Sequence, residues 1–274
     1  MSQSSRAGRR GQARWQDRLR HEIRLFFTAL QFFTRLPVPA WVGFKPAWLQ
    51  HCTRYYPLAG WVVGVVAAVV FALAQTVWPQ AVAVLLSMAA GLVLTGAFHE
   101  DGFADVCDGL GGAVSKERAL DIMKDSRLGT YGVTGLGLML ALKFAALSAL
   151  PPIWVAPALL LAHPASRLGS AALIWRMRYA REEGKAKPLG RRMRDREFLI
   201  AAACGGLPAL MLVMTGMLPP AGVAWALMAG ALGAAWMART LARRLDGYTG
   251  DGLGAAQQLS ELGCYLGVLA AVGG

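Results

Sequence analysis

Residues 58–98 read LAGWVVGVVAAVVFALAQTVWPQAVAVLLSMAAGLVLTGAF, and this stretch decides the fold class. It holds two apolar runs, 58–77 and 80–98, on either side of a Trp-Pro-Gln turn at 78–80. Each run is close to the ~20 residues that an α-helix needs to cross a bilayer. Because the stretch contains no charged residue, it is typical of a transmembrane helical hairpin with a proline turn at its tip.

The rest of the chain repeats this pattern. Further apolar runs occupy residues 131–150, 152–174, 198–218 and 220–240, and a weaker run occupies 255–272. Two more uncharged proline turns, at 151–152 and 219–220, join the first four of these runs in pairs. We therefore predict an all-α polytopic membrane protein of about six to seven transmembrane helices, arranged as helical hairpins.

Composition and charge agree with a membrane protein. The 274 residues are 55% hydrophobic and only 16% charged, and the mean hydropathy is +0.42, which excludes an ordinary soluble domain. The net charge is +12, and nearly all of the charged residues lie in the N-terminus and in the connections 99–130, 175–197 and 241–254. By the positive-inside rule these connections are cytoplasmic. Nucleic acid is not an expected partner, because no soluble module remains to carry the basic residues.

The N-terminus differs from the remainder of the chain. Residues 1–20 are polar and basic, and we predict a disordered extension. Residues 21–39 are rich in aromatic side chains but include Arg24 and Arg35, so we expect an interfacial helix rather than a span. We predict that residues 21–274 form a single integral membrane catalytic domain. The four cysteines are scattered and predict neither disulfides nor a metal finger.

Carboxylates crowd into the segment FHEDGFADVCDG at 98–109. Asp101, Asp105 and Asp108 are spaced i, i+4, i+7, which places all three on one face of a helix. Three like charges repel one another, and oxygen ligands of this kind suit Mg²⁺, which proteins usually share with substrate phosphates. The segment predicts metal-dependent phosphate chemistry at the membrane surface. His99 and Glu100 adjoin the aspartates and are candidates for a general base.

A second acidic patch, DGYTGDGLG at 246–254, lies on the same predicted side of the membrane. Its glycines would let the backbone approach a ligand closely. A polar turn between helices would have the same composition. The shared side of the membrane favours a site, and we expect Asp246 and Asp251 to be further metal ligands.

Several basic residues have two readings each. Lys124 and Arg127 could clamp phosphate oxygens, or they could anchor a cytoplasmic loop. Arg167 interrupts the run 152–174 three residues after Pro164, and an arginine at membrane depth is a functional candidate unless it reaches the interface. Lys143, in the run 131–150, is a weaker functional candidate for the same reason.

Five segments of the chain resemble the cobalamin synthase family of the bacterial inner membrane. They are FFTRLPVP at 32–39, YYPLAGWVVG at 55–64, GAFHEDGFADVCDGLGG at 96–112, IMKDSRLGTYG at 122–132 and GYTGDGLGAAQQLSE at 247–261. The segments occur in the order of the family and extend over most of the chain after residue 25. The N-terminal extension falls outside the family pattern, and the loop 176–197 is richer in arginine than the family pattern.

The resemblance implies an adenosylcobinamide-GDP ribazoletransferase. A ribose hydroxyl of α-ribazole, or of its 5′-phosphate, would attack the cobinamide-side phosphate of adenosylcobinamide-GDP, releasing GMP and giving adenosylcobalamin or its 5′-phosphate. Mg²⁺ is the expected cofactor, corrinoid-GDP and α-ribazole are the expected substrates, and membrane lipid surrounds the helices. The active face would be cytoplasmic. The oligomeric state stays open, and a homo-oligomer is compatible with the sequence.

The predicted residues suit this chemistry, because phosphoryl transfer needs charge neutralisation around an in-line nucleophile. One or two Mg²⁺ would bind the five aspartates, which are Asp101, Asp105, Asp108, Asp246 and Asp251. Lys124 and Arg127 would neutralise phosphate oxygens. The hydroxyl proton would pass to His99, to Glu100 or to an aspartate not bound to metal, Asp105 among them. Arg167 completes the set of expected catalytic residues.

Three other functions remain as alternatives. A CDP-alcohol phosphotransferase expects DG-x-x-AR, whereas Asp105 follows Asp101-Gly102-Phe103-Ala104 here. A prenyltransferase expects Asn-Asp-x-x-Asp, whereas a His-Glu pair precedes Asp101. A transporter would suit the broken helix at Pro164 and the intramembrane charges. The gathering of acidic residues on one face, rather than at the midplane, argues against transport.

Overall fold

The computed structural model describes the backbone of residues 3–181 and 193–272, with side chains from residue 15 onward. The helices are α1 (Gln3–Phe33), α2 (Pro46–His51), α3 (Tyr56–Gln75), α4 (Gln80–Thr95), α5 (Phe98–Gly112), α6 (Lys116–Ile122), α7 (Thr130–Ala149), α8 (Pro152–Arg176), α9 (Asp195–Met214), α10 (Pro220–Leu245) and α11 (Gly250–Val272). The described chain is therefore helical, which confirms the predicted all-α class. Half of the arginine-rich loop, residues 182–192, lies outside the described residues.

Four helical segments of the described chain are long and apolar enough to cross a membrane. They are Pro46–Gln75, Thr130–Ala149, Asp195–Met214 and Pro220–Leu245, and α4 with α5 makes a fifth if this pair, bent by 89°, counts as one broken span. The sequence predicted six to seven. The difference lies in α8 and α11, whose polar side chains lower their hydropathy.

Helices α8 and α11 form the centre of the bundle. Helix α11 packs against α10, α8, α5 and α7, while α8 packs against α3, α9, α10 and α11. Small residues permit this packing. A Cβ added at Gly263 of α11 would lie 2.6 Å from the backbone oxygen of Ala229 in α10. Since membrane helices associate through such close contacts, the interior helices can carry polar groups that lipid-facing helices cannot.

Each predicted proline turn supplies the N-cap residue of the helix that follows it. Pro79, Pro151 and Pro219 are the N-cap residues of α4, α8 and α10. The side-chain amide of Gln80 donates hydrogen bonds to the backbone oxygens of residues 147, 148 and 150, at the turn between α7 and α8. The tips of the first two hairpins therefore lie side by side at one end of the bundle.

The bend between α4 and α5 has a local cause. Gly96 and Ala97 adopt left-handed φ angles of 65° and 56°, which end α4 and turn the chain. A Cβ added at Gly96 would lie 2.6 Å from Nε of Arg35, so the Arg35 side chain fills the space beside this glycine. Helix α5 consequently leaves nearly at right angles to α4, with its acidic segment wholly helical, as the i, i+4, i+7 spacing predicted.

Helix α1 includes both N-terminal segments that the sequence analysis separated. The structure describes helix from Gln3, where disorder was expected, and arginine, glutamine and alanine in this segment are all good helix formers. Within the part whose side chains are described, Leu25 and Ala29 are buried, whereas Trp15 and Leu19 are exposed. At 3.6 residues per turn these four side chains lie on one stripe of α1, which is buried toward its C-terminal end and exposed toward Trp15. An exposed apolar stripe suits the predicted interfacial position.

The crossing of α3 and α8 depends on Gly60, where an added Cβ would lie 2.6 Å from the backbone oxygen of His163. We expect Gly60→Val to reduce the free energy of unfolding by about 1–3 kcal/mol, because the two backbones would have to separate. The measurement is thermal unfolding of the purified protein in detergent.

Gly137→Ala is the matched control, since nothing lies within 4 Å of a Cβ at Gly137 on α7. This variant should be unchanged or up to about 1 kcal/mol more stable, because alanine favours a helix over glycine. Equal effects of the two substitutions would contradict the packing role of Gly60.

Candidate active site

The acidic segment of α5 lies directly against the start of α11. A Cβ added at Gly102 would be 3.0 Å from the backbone of Asp251, and one added at Gly254 would be 3.1 Å from the backbone oxygen of His99. Two helices can approach this closely only where neither carries a side chain. The crossing brings together two acidic segments that are far apart in the chain.

Asp101, Asp105 and Asp251 meet at this crossing, and we call them the acidic face. The charges of Asp251 and Asp101 both act on the carboxyl of Asp105. Burial raises the pKa of Asp251; Arg181 opposes this shift, and Asp101 adds to it. Like charges held this close together disfavour one another's ionised form. A cation placed between them would relieve the repulsion.

Arg181 supplies one positive charge beside the acidic face. Its Nη2 donates a hydrogen bond of 2.9 Å to Asp251, its side chain is 13% exposed, and its buried Nε has no partner. The segment before it is held by two backbone hydrogen bonds, from Tyr248 to the oxygen of Arg178 and from Ala180 to the oxygen of Tyr248. The sequence did not single out Arg181, because only folding brings it to Asp251.

The remaining two predicted metal ligands are engaged elsewhere. Asp108 accepts hydrogen bonds from the backbone amides of Gly129 and Gly132, at 2.7 and 2.8 Å, and so fixes the start of α7. Asp246 is the left-handed C-cap residue of α10, and its side chain lies 3.1 Å from Lys116. The structure therefore gathers three of the five aspartates and gives the other two structural contacts.

No group of three or more His, Cys, Asp or Glu side chains in residues 15–181 and 193–272 is arranged to hold a metal ion. A complete protein cage is not what Mg²⁺ requires, because this ion keeps several waters and shares one or two carboxylates with substrate phosphates. The acidic face, with three carboxylates at a partly exposed crossing, has the oxygen donors for such an incomplete site.

Lys124 and Arg127 lie in the connection before α7 rather than on α5. Lys124 is 3.9 Å from Asp121. Arg127 is 87% exposed and pairs with Asp125 at 2.6 Å, and this contact lowers the pKa of Asp125 to about 2. Arg127 lines an open cleft in which Asp108, Arg118, Asp121, Asp125 and Tyr131 also lie. Asp108 lines this cleft and follows Asp105 on α5, so the cleft adjoins the acidic face.

His99 and Arg167 face the interior of the bundle. His99 is 3% exposed and stacks on Phe33 with 5.1 Å between ring centroids. Arg167 is 1% exposed, lies 5.7 Å from the centroid of the Phe33 ring, and donates to the backbone oxygen of His163. Both residues therefore lie behind the acidic face, so neither is in a position to touch a substrate bound on its outer side.

Glu100 connects the acidic face with a cavity of about 40 Å³ inside the bundle. The polar lining of the cavity consists of Ser87, Thr95, His99, Glu100, Lys143, His163, Arg167, Gln257, Gln258, Glu261 and Tyr265. Lys143 and Glu261 form an ion pair of 2.7 Å with 4% and 7% of their side chains exposed. The sequence marked Lys143 as an intramembrane charge but gave no sign of its partner.

Comparisons with known proteins agree on one family. The cobalamin-5-phosphate synthase family model matches residues 25–269. The chain is 52% identical to the adenosylcobinamide-GDP ribazoletransferase of Leptothrix cholodnii, over 92% of the chain and 97% of that protein. It is 45% identical to the same enzyme of Ralstonia pickettii (92% and 97%) and 42% identical to that of Shewanella frigidimarina (95% and 98%). No solved structure matches.

The acidic residues should separate into two classes when they are replaced. We expect Asp105→Asn to leave stability unchanged or raise it, because the substitution removes one of several mutually repelling charges. Asp108→Asn should lower stability by about 1–2 kcal/mol, because it weakens the acceptor of two backbone amides. Thermal unfolding of both variants in metal-free detergent buffer measures the difference, and a lower melting temperature for Asp105→Asn would contradict it.

Proposed function

This chain belongs to the cobalamin-5-phosphate synthase family, and we propose that it is an adenosylcobinamide-GDP ribazoletransferase working at the acidic face. It joins adenosylcobinamide-GDP and α-ribazole, or α-ribazole 5′-phosphate, to give adenosylcobalamin or its 5′-phosphate, with release of GMP. The match along nearly the whole chain carries this assignment. The convergence of Asp101, Asp105 and Asp251 supports the location.

The reaction is a displacement at phosphorus. The ribose hydroxyl forms a new P–O bond to the cobinamide-side phosphorus, the P–O bond to GMP breaks, and the hydroxyl proton goes to a base. In such reactions the protein contributes mainly positioning and charge neutralisation. The site must therefore bind the diphosphate between positive groups and hold the hydroxyl in line with the leaving GMP.

Mg²⁺ is the cofactor that the acidic face suits. Asp101, Asp105 and Asp251 would hold it together with oxygens of the diphosphate, as is common for this ion. When bound, it supplies neutralisation of the charge on the diphosphate and on the leaving GMP. The repulsion among these carboxylates, together with the raised pKa of Asp251, supports this assignment over a purely structural cluster.

Arginines complete the phosphate-binding surface. Arg181 lies beside Asp251 with an unpartnered Nε, so it has donors to offer a phosphate oxygen. Arg127 is exposed in the adjoining cleft and would contact the part of adenosylcobinamide-GDP that extends beyond the acidic face. Lys124 is exposed next to the same cleft and contributes charge.

Glu100 is the better candidate for the base that takes the hydroxyl proton. It adjoins Asp101 on α5 and remains partly exposed, while its Oε2 is buried without a hydrogen-bond partner toward the interior cavity. His99 is almost completely buried and stacked on Phe33. A proton acceptor must come within hydrogen-bonding distance of the substrate hydroxyl, and this condition favours Glu100.

A transporter is less well supported. The central cavity of about 40 Å³ has room for a few water molecules and not for a solute of metabolite size. Two of the charged groups that line it, Lys143 and Glu261, are paired with each other.

The enzymatic assignment is tested by release of GMP from adenosylcobinamide-GDP and α-ribazole by the purified protein in detergent, with and without Mg²⁺. We expect turnover that depends on Mg²⁺ and falls at least about 100-fold in Asp105→Asn, because the site loses one charged oxygen donor for the metal. Asp17→Asn is the matched control, since this exposed aspartate of α1 lies outside both the acidic face and the adjoining cleft.

Each outcome of this assay has a distinct meaning. A folded wild-type protein that releases no GMP in Mg²⁺ would overturn the assignment. Release that does not require a divalent cation would remove Mg²⁺ from the proposal. Full activity in Asp105→Asn would move the site away from the acidic face.

The proposed location is the bacterial inner membrane, with the acidic face on the cytoplasmic side, where the positive-inside rule places the charged connections. Val114 and Val77 are both well exposed, in the connection after α5 and in the first proline turn. We expect Val114→Cys to be labelled by an impermeant maleimide in inverted vesicles and Val77→Cys in intact spheroplasts. The unsubstituted protein gives the background from native cysteines, and the reverse pattern would place the site outside.

A further inference from the structure

Four buried side chains behind the acidic face form a closed ring of hydrogen bonds. Lys143 donates to Gln258 and to Glu261, both at 2.7 Å; Gln258 donates to Gln257 at 2.8 Å, and Gln257 donates to Glu261. Every member is less than 9% exposed. The ring connects α7 with α11 inside a bundle that spans a membrane, where uncompensated charge is costly.

One branch of the ring leads to the acidic face. The amide nitrogen of Gln258 donates a second hydrogen bond, of 2.9 Å, to Oε1 of Glu100 on α5. Neither the joining of α7 to α11 nor the neutralisation of Lys143 requires this bond. The branch is therefore a contact between the ring and the segment that carries Asp101 and Asp105.

The direction of these hydrogen bonds follows from Lys143. An ammonium group donates three hydrogen bonds and accepts none, so the Gln258 oxygen must face Lys143. The NH₂ group of Gln258 then has to face Glu100, and position 100 must offer an acceptor. A single buried cation thus fixes the orientation of the amide and, through it, the polarity of the contact with Glu100.

The other oxygen of Glu100 is uncommitted. Glu100 Oε2 is buried without a hydrogen-bond partner, as is the Nε donor of Arg167, and both residues line the cavity of about 40 Å³. A cavity of this size and polarity has room for ordered water. One carboxylate oxygen is therefore held by Gln258, while the second keeps an open acceptor position.

Building on the proposed function, we infer that Gln258, oriented by the Lys143–Glu261 ion pair, is a positioning residue that holds Glu100 as a hydrogen-bond acceptor at the acidic face. Gln258 does not touch the substrate. It fixes Oε1 of Glu100 and so holds the buried Oε2 toward the cavity, where it would take the proton of the attacking hydroxyl through one water molecule rather than by direct contact.

The test reverses the polarity of the bond without changing the size of either side chain. Gln258→Glu keeps the acceptor for Lys143 and removes the donors to Glu100 and to Gln257, so the carboxylates at positions 258 and 100 face each other. The swap variant Gln258→Glu/Glu100→Gln restores a donor and an acceptor in the opposite direction. Thermal unfolding in detergent and the kcat and KM of GMP release are measured for both variants and for the wild type.

We expect Gln258→Glu to lower the melting temperature and the swap variant to recover most of the loss. We expect kcat to fall at least about tenfold in both variants with little change in KM, because neither presents a correctly held acceptor at position 100. Tyr265→Phe is the control. It removes a buried hydrogen bond to Glu261 outside the ring, and kcat should stay within about twofold of the wild type.

The two readouts separate this inference from the proposed function. A Gln258→Glu variant as stable as the wild type would overturn the ring's orientation, whatever the enzyme does. Wild-type kcat in the swap variant would overturn the positioning role, since the contact would then serve stability alone. Absence of GMP release from the wild type would defeat the proposed function, while recovery of stability in the swap variant would still support the oriented contact.

Discussion

The close crossing of α5 and α11 is the contact on which the site depends. Gly102 and Gly254 remove the side chains that would hold these helices apart, so the backbones meet and Asp251 lies beside Asp101 and Asp105. The bend at Gly96 and Ala97 turns α5 away from α4 and toward this crossing. The acidic face thus follows from a few positions where the chain has no room for a Cβ or turns through left-handed angles.

The interior of the bundle must suit a membrane and also hold charged side chains, and these two requirements usually conflict. Charged groups at membrane depth are unfavourable unless they are paired, and here Lys143 is paired with Glu261 and hydrogen-bonded to Gln258. These groups lie on α7 and α11, and α11 is enclosed by its packing against α10, α8, α5 and α7. A buried polar core can therefore lie directly behind the partly exposed acidic face.

The acidic residues fall into two groups, one that stabilises the fold and one to which we assign the proposed chemistry. Asp108 fixes the start of α7 through two backbone amides, and Asp246 caps α10, so both have satisfied contacts. The carboxylates of the acidic face repel one another and depend on outside charge for relief. Groups of this kind commonly lower the stability of a fold while serving its activity.

The sequence by itself determined the helical membrane fold, because apolar length and proline turns are local properties, as is the helical spacing of Asp101, Asp105 and Asp108. It also predicted Asp251 as part of a second acidic patch. Only the tertiary structure decided which aspartates meet, that Arg181 joins them, and that Lys143 orients Gln258 toward Glu100. These pairings join residues 70 or more positions apart, and they depend on where helix backbones cross, which no local pattern encodes.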